Sequence, residues 1–175
     1  MNDSFAHQLK LDRIRDGERI DLVADDAERS RIAARLGLAR RDRLDAHAEL
    51  SRTGELVRAK GRLLASLDQA CVVTGEPVPA HIDEPFEVMF VRPPEVSDPD
   101  EESELGASDC DVVFYDGGTI DLGAAIADTL ALSLDPYPRS SAAQATLKQA
   151  GVITEEQASP FAILAQLKRG TSDET

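Results

Sequence analysis

Between Val112 and Arg139 the chain reads VVFYDGGTIDLGAAIADTLALSLDPYPR, with aspartates at 116, 121, 128 and 135 around a Gly117-Gly118 pair. Carboxylates close in sequence are the groups of acid/base chemistry, and glycines between a strand and a helix are the groups of a phosphate cradle. The cradle fails on its chemistry. The pair has neither the Lys-Ser/Thr of a P-loop nor the spaced glycines of a dinucleotide fingerprint, and Asp116 and Asp121 would repel a phosphate. Asp121 and Asp128 stand seven residues apart, a spacing that suits a helix cap and a solvent-facing position as well as a catalytic pair. The stretch therefore reads as a rigid strand, turn and helix, with Gly117 supplying positive φ after Asp116 and Asp121 satisfying the free N–H groups of the helix. No catalytic residue is assigned.

The remaining reactive side chains are sparse. His7, His47 and His81 share no metal-ligand spacing, and each falls on a polar position of a strand pattern, which predicts solvated imidazoles. Cys71 lies in the apolar run CVVT with no histidine partner specified by sequence, which predicts a small core residue. Cys110 is far from it and no CxxC is present, so the chain alone builds neither a disulfide framework nor a four-thiolate zinc site. Reduced thiols are expected, with no metal and no cofactor. One cluster runs against the overall charge. In RSRIAARLGLARRDR, Arg29, Arg31, Arg35, Arg40, Arg41 and Arg43 face only Asp42, and Arg31 and Arg35 share a helix face. Guanidinium forks fit phosphates bidentately, which makes Arg31, Arg35, Arg40, Arg41 and Arg43 the candidate RNA contact. The same arginines read equally well as a solvated face paired to the acidic half of the protein, and the sequence leaves the two even.

The elements that must position these residues follow from periodicity. FAHQLKL and ERIDLVAD read as short strands. DDAERSRIAARLGL is a short amphipathic helix, with Asp25 and Glu28 as a capping box and Gly37 as its stop. Leu44, Ala46, Ala48 and Leu50 alternate with polar residues, SRTGE turns the chain, and Val57, Ala59, Leu63, Ala65 and Leu67 point inward again, which is an antiparallel hairpin. The Thr74-Gly75-Glu76-Pro77 turn and the apolar face of Phe86, Val88 and Phe90 extend it to a meander of three or four strands. DVVFY adds one more strand, and Leu122, Ile126 and Leu130 predict a helix over 121–133, ended by the prolines of DPYP. Beyond it SSAAQATLKQAGVITEEQ is weakly patterned, and SPFAILAQLKRG predicts a short helix capped by Ser159 with Phe161, Leu164 and Leu167 on one stripe. The expected fold is α+β, an antiparallel meander or half-open barrel with two to four packed helices. The expected organisation is one domain over 1–140, interrupted by an acidic flexible loop at 93–109, and a C-terminal tail over 141–175.

A chain of 175 residues fits one core. No apolar run approaches the roughly 20 residues of a membrane helix, and the first twenty residues lack the apolar centre of a secretory signal, so the expectation is cytoplasmic with no membrane partner. The net charge of −14 is uneven: residues 1–92 carry 15 basic and 17 acidic side chains, residues 93–175 carry 4 and 16. Such a surface suits a basic protein partner and disfavours broad RNA binding, which rewards many cationic contacts.

Taken together, these segments resemble the YceD family (DUF177), and the wording VTGEPV and LDPYPR resembles its alphaproteobacterial branch most. The resemblance rests on CVVTGEPVPAHIDEPFEVMF, with Cys71, Thr74, Glu76 and Pro77; on YDGGTIDLGAAIADTLALSLDPYPR, with Asp116, Gly117, Asp121, Leu122, Asp128 and Pro136; and on the closing SPFAILAQLK. It implies a non-enzymatic role in 23S rRNA accumulation or processing and in large ribosomal subunit assembly, with large-subunit rRNA or its precursor as partner. An alternative is an acidic adaptor that binds a basic ribosomal protein without touching RNA. The chain departs from the family pattern at three points. Cys71 is followed by VVTG where many relatives have a Cys-x-x-Cys element, so a metal role does not carry over. Asp128 stands where glutamate is common, and Ser159 stands where asparagine is usual, both of which cap.

Overall fold

A computed structural model describes residues 5–93 and 111–152. Its frame is a five-stranded sheet in the order β2-β3-β4-β5-β6, formed by Glu18–Val23, Arg40–Thr53, Leu56–Ala70, Pro77–Val91 and Asp111–Phe114. A two-stranded sheet pairs β1, Gln8–Lys10, with β7, Thr119–Asp121. Three helices complete the described chain: α1, Asp26–Leu36; α2, Leu122–Ser133; and α3, Ala143–Gln149.

The long hairpin follows the alternation of its residues. Leu44, Ala46, Ala48 and Leu50 pair with Ala65, Leu63, Gly61 and Ala59, and Ala59 and Val57 pair onward with Val88 and Phe90. These side chains form one buried face, while Arg58, Lys60 and Arg62 between them stand on the other. Gly54 takes the positive φ (65°) that the two-residue turn between β3 and β4 demands. Gly61 meets a different need: a Cβ there would lie 1.8 Å from the His47 carbonyl oxygen, so the close approach of β4 to β3 admits no side chain.

Strands β2 to β5 are antiparallel, as the alternation predicts. Strand β6 departs from the expected antiparallel order and runs parallel to β5. Parallel neighbours need a crossover of a dozen or more residues, and residues 92–110 supply that length between the two strands. The sheet is mixed and open, with β2 and β6 as its edges, rather than a half-closed barrel.

The two helices expected within the described residues form where their caps lie. At α1 the Glu28 N–H donates to Asp25 Oδ1 and the Asp25 N–H to Glu28 Oε2, each at 2.8 Å, and Gly37 ends the helix in the left-handed region at φ 65°. Helix α2 buries Leu122, Ile126 and Leu130 in the core with Phe90, Leu50, Leu63 and Ile120. Its first turn is crossed so closely by the N-terminal segment that a Cβ on Gly123 would lie 1.9 Å from the Phe5 carbonyl oxygen. Helix α3 occupies the stretch expected to be weakly patterned; its seven residues bury only Ala143, which is too little for a periodic signal. The acidic segment after Pro93 and the helix expected from Ser159 lie outside the described residues.

Candidate interaction surface

The arginine cluster divides among several environments. Arg31 and Arg35 project from α1. Arg31 is exposed with no ion-pair partner among the described residues, whereas Arg35 reaches across to Asp128 on α2. Arg40 bonds Asp42 with Nε to Oδ1 at 2.9 Å. A β-bulge at Asp42 turns Arg43 onto the outer face opposite Ser66, where it pairs with the largely buried Asp45. Arg41 lies on β3, and its side chain is outside the described residues. Arg29, next to the cluster, is engaged by Asp26 and the Ala24 carbonyl.

Sequence reasoning missed a second set of cations, which the sheet gathers from separate strands. Arg19 on β2, His47 on β3, and Arg58, Lys60 and Arg62 on β4 share the outer face with Arg43. Each is interleaved with acids: Arg19 with Glu49 at 3.2 Å, His47 with Asp21 at 2.7 Å, Arg58 and Lys60 with Glu87 at 3.1 and 3.7 Å, and Arg62 with Asp83. The hydrogen bond to Asp83 raises the Arg62 pKa further, and the same bond lowers that of Asp83. The signal was in the alternation of β4, whose polar positions are all cationic from 58 to 62.

The Cys71 segment forms a compact polar knot. The thiol is 3% exposed, and its sulfur accepts from the backbone N–H of Thr74 at 3.4 Å and of Ser140 at 3.2 Å. Burial pushes the thiol up, and hydrogen bonds from Thr74, Ser140 and Val73 outweigh it, lowering its pKa to about 6. Around it the Glu76 carboxylate accepts from the Ser140 hydroxyl at 2.8 Å and the Thr74 hydroxyl at 3.1 Å, and Val72 N–H donates to the Pro138 carbonyl at 2.9 Å. Gln69, nearly buried, donates to the Asp135 carbonyl at 2.8 Å. The turn before Pro77 is thereby stitched to the segment that contains Pro136, although the two are nearly seventy residues apart. Cys71 is a core thiol as expected, and it is also the acceptor at the centre of this knot.

Three of the four aspartates of the double-glycine stretch serve the backbone. Asp116 Oδ1 accepts from the Gly117 N–H at 2.7 Å, and Gly117 has φ 70°. Asp121 caps α2, its Oδ1 accepting from Ala124 N–H at 2.9 Å and from His7 N–H at 3.1 Å, which ties the N-terminal strand to the start of the helix just before Leu122. Asp128 holds Arg35, and Asp135 Oδ1 accepts from the Tyr137 N–H at 2.8 Å. Among the described residues no three His, Cys, Asp or Glu side chains gather as a metal site would require.

An open mixed sheet with a charged outer face and a hydrogen-bonded cysteine turn defines the described chain as α+β. The family model described as large ribosomal RNA subunit accumulation protein YceD matches residues 59–168, from near the start of β4 onward. The chain belongs to the YceD family. No curated protein and no solved structure matches it. The family description names an accumulation protein and no reaction, and no helix among the described residues is long and apolar enough to cross a membrane.

Proposed function

We propose that this protein is a non-enzymatic factor that supports accumulation and processing of 23S rRNA during assembly of the large ribosomal subunit. The observation that carries the reading is the family match over residues 59–168. It is supported by the site chemistry, in which the aspartates cap and turn the backbone and the thiol accepts hydrogen bonds from main-chain groups. In this reading Arg31, Arg35, Arg40, Arg41 and Arg43 contact rRNA phosphates and the acidic half faces a basic ribosomal protein. Arg31, exposed and without an ion-pair partner among the described residues, makes first contact. Arg35 and Arg40 exchange a carboxylate for a phosphate, an inexpensive step because exposed ion pairs contribute only about 0–1 kcal/mol, whereas Arg43 stays beside the largely buried Asp45 and reaches a phosphate only while holding it.

Those three pairs also favour the second reading, an acidic adaptor that binds a basic ribosomal protein without touching RNA. Reversing the five arginines to glutamate separates the two. An rRNA-contacting protein loses affinity for 23S fragments by far more than its folded fraction falls, and the wild-type affinity falls steeply across a salt series. An adaptor shows no rRNA affinity to lose, and the five-fold variant then alters only stability at low salt.

A further inference from the structure

The five-stranded sheet ends at β2, and no strand among the described residues covers that edge. The Ala24 N–H donates to the Leu44 carbonyl at 3.0 Å, continuing the register of β2 on β3. An antiparallel ladder with that bond turns the main-chain groups of the even-numbered residues of β2 toward β3, and those of Arg19, Asp21 and Val23 toward the open side. Helix α1 leads away from this edge, onto the buried side of β3 and β4, where Arg29 and Ile32 stand with Leu44, Ala65 and Leu67. The Arg19 and Asp21 side chains are 83% and 76% exposed, and Val23 is 68% exposed. A row of unpaired N–H and C=O groups is a template for a strand of another chain.

We propose that the occupant is a second copy of this chain, β2 against β2 about a two-fold axis at Ile20, which joins the two sheets into one. The two-fold requires antiparallel pairing, and the outward main-chain groups meet only when odd-numbered residues face odd-numbered residues. Of the registers centred on residues 19, 20 and 21, the first sets Arg19 against the partner's Arg19 and the third sets Asp21 against the partner's Asp21. Like charges directly opposite destabilise a strand pair and opposite charges stabilise it, which selects the second. In that register Arg19 faces the partner's Asp21, and Asp21 faces the partner's Arg19. Val23 comes opposite the partner's Gly17, which has no side chain to obstruct it, and the half-buried Ile20 meets the partner's Ile20 on the axis. The new pairs join existing ones, because Arg19 already holds Glu49 and Asp21 holds His47. The opposite edge, β6, has four residues and no cation to complement Asp111. A net charge of −14 on each copy opposes association, but at physiological salt that repulsion is screened beyond about 8 Å, whereas the paired strands are in contact. This inference is independent of whether the protein contacts rRNA.

The test is sedimentation velocity of the full chain at physiological salt and at concentrations up to about 100 μM, a range that reveals even a weak dimer. Wild type is expected to pass from monomer to dimer within it. Arg19→Asp and Asp21→Arg each set like charges against each other twice across the axis, and each is expected to weaken the dimer by about 10-fold or more while leaving so exposed a site folded. Mixing the two variants in equal amounts restores both opposite pairs, so a heterodimer close to wild type in affinity is expected. A wild type that stays monomeric, as it would if this edge served a strand of a different protein, would overturn the proposal. So would dimers indifferent to either reversal, or a mixture that associates no better than its components.

Discussion

At Cys71 a nearly inaccessible sulfur accepts from the backbone N–H groups of Thr74 and Ser140, and the consequence is a pH-dependent contribution to folding. The folded thiol titrates near 6, below its ordinary 9.0. Between those values the unfolded chain binds more protons than the folded one, so stability from this residue rises with pH from about 6 to 9 and is lost as pH falls through 6. Urea midpoints across that window are expected to climb in the wild type and to flatten in Cys71→Ala; parallel profiles would refute the assignment. Asp121 offers a second test. Its Oδ1 holds both the first turn of α2 and the His7 amide, so Asp121→Ala is expected to cost about 1–2 kcal/mol by denaturant melt, toward the upper end of a lost cap. Loss of rRNA-linked function at wild-type stability would instead give this carboxylate a chemical role.

Among the elements, the β3–β4–β5 ribbon carries the fold, and Gly61 is its tightest point. Gly61→Val drives a side chain into the His47 backbone, which cannot swing aside as a flexible side-chain tip would. A loss of more than about 2 kcal/mol is expected, with calorimetry as the check. This ribbon was legible because alternation at Leu44 to Leu50 and Val57 to Leu67 is a direct record of which face is buried. Helix α1 was legible through Asp25, Glu28 and Gly37, and α2 through Asp121 and Leu122, Ile126 and Leu130. The parallel direction of β6 was not, because a four-residue run reads the same in either orientation. Neither were the contacts that shape the surface. The bond from Ser140 to Cys71 and the pair of Arg35 with Asp128 join residues 69 and 93 positions apart, and nothing local in either partner names the other. The outer-face cations were visible singly and became a surface only when the register set Arg19, Glu49, Lys60 and Glu87 in one row.

For the whole molecule, charge sets the terms of any RNA contact. A net −14 opposes broad binding to a polyanion, so contact with rRNA must be local, through cations within a Debye length of about 8 Å of the phosphates. Filter binding to unrelated RNA at physiological salt is therefore expected to be weak even where the cognate fragment binds, and equal affinity for both would contradict a local contact. The family match supports a role in large-subunit rRNA accumulation, and the proposed function places that role on the maturing large subunit. Gradient sedimentation of ribosomes from cells carrying the tagged protein, followed by crosslinking of the large-subunit fractions, tests that claim most directly. The account predicts recovery on large-subunit precursors with 23S rRNA among the crosslinked species. Recovery only among free proteins at the top of the gradient would contradict it.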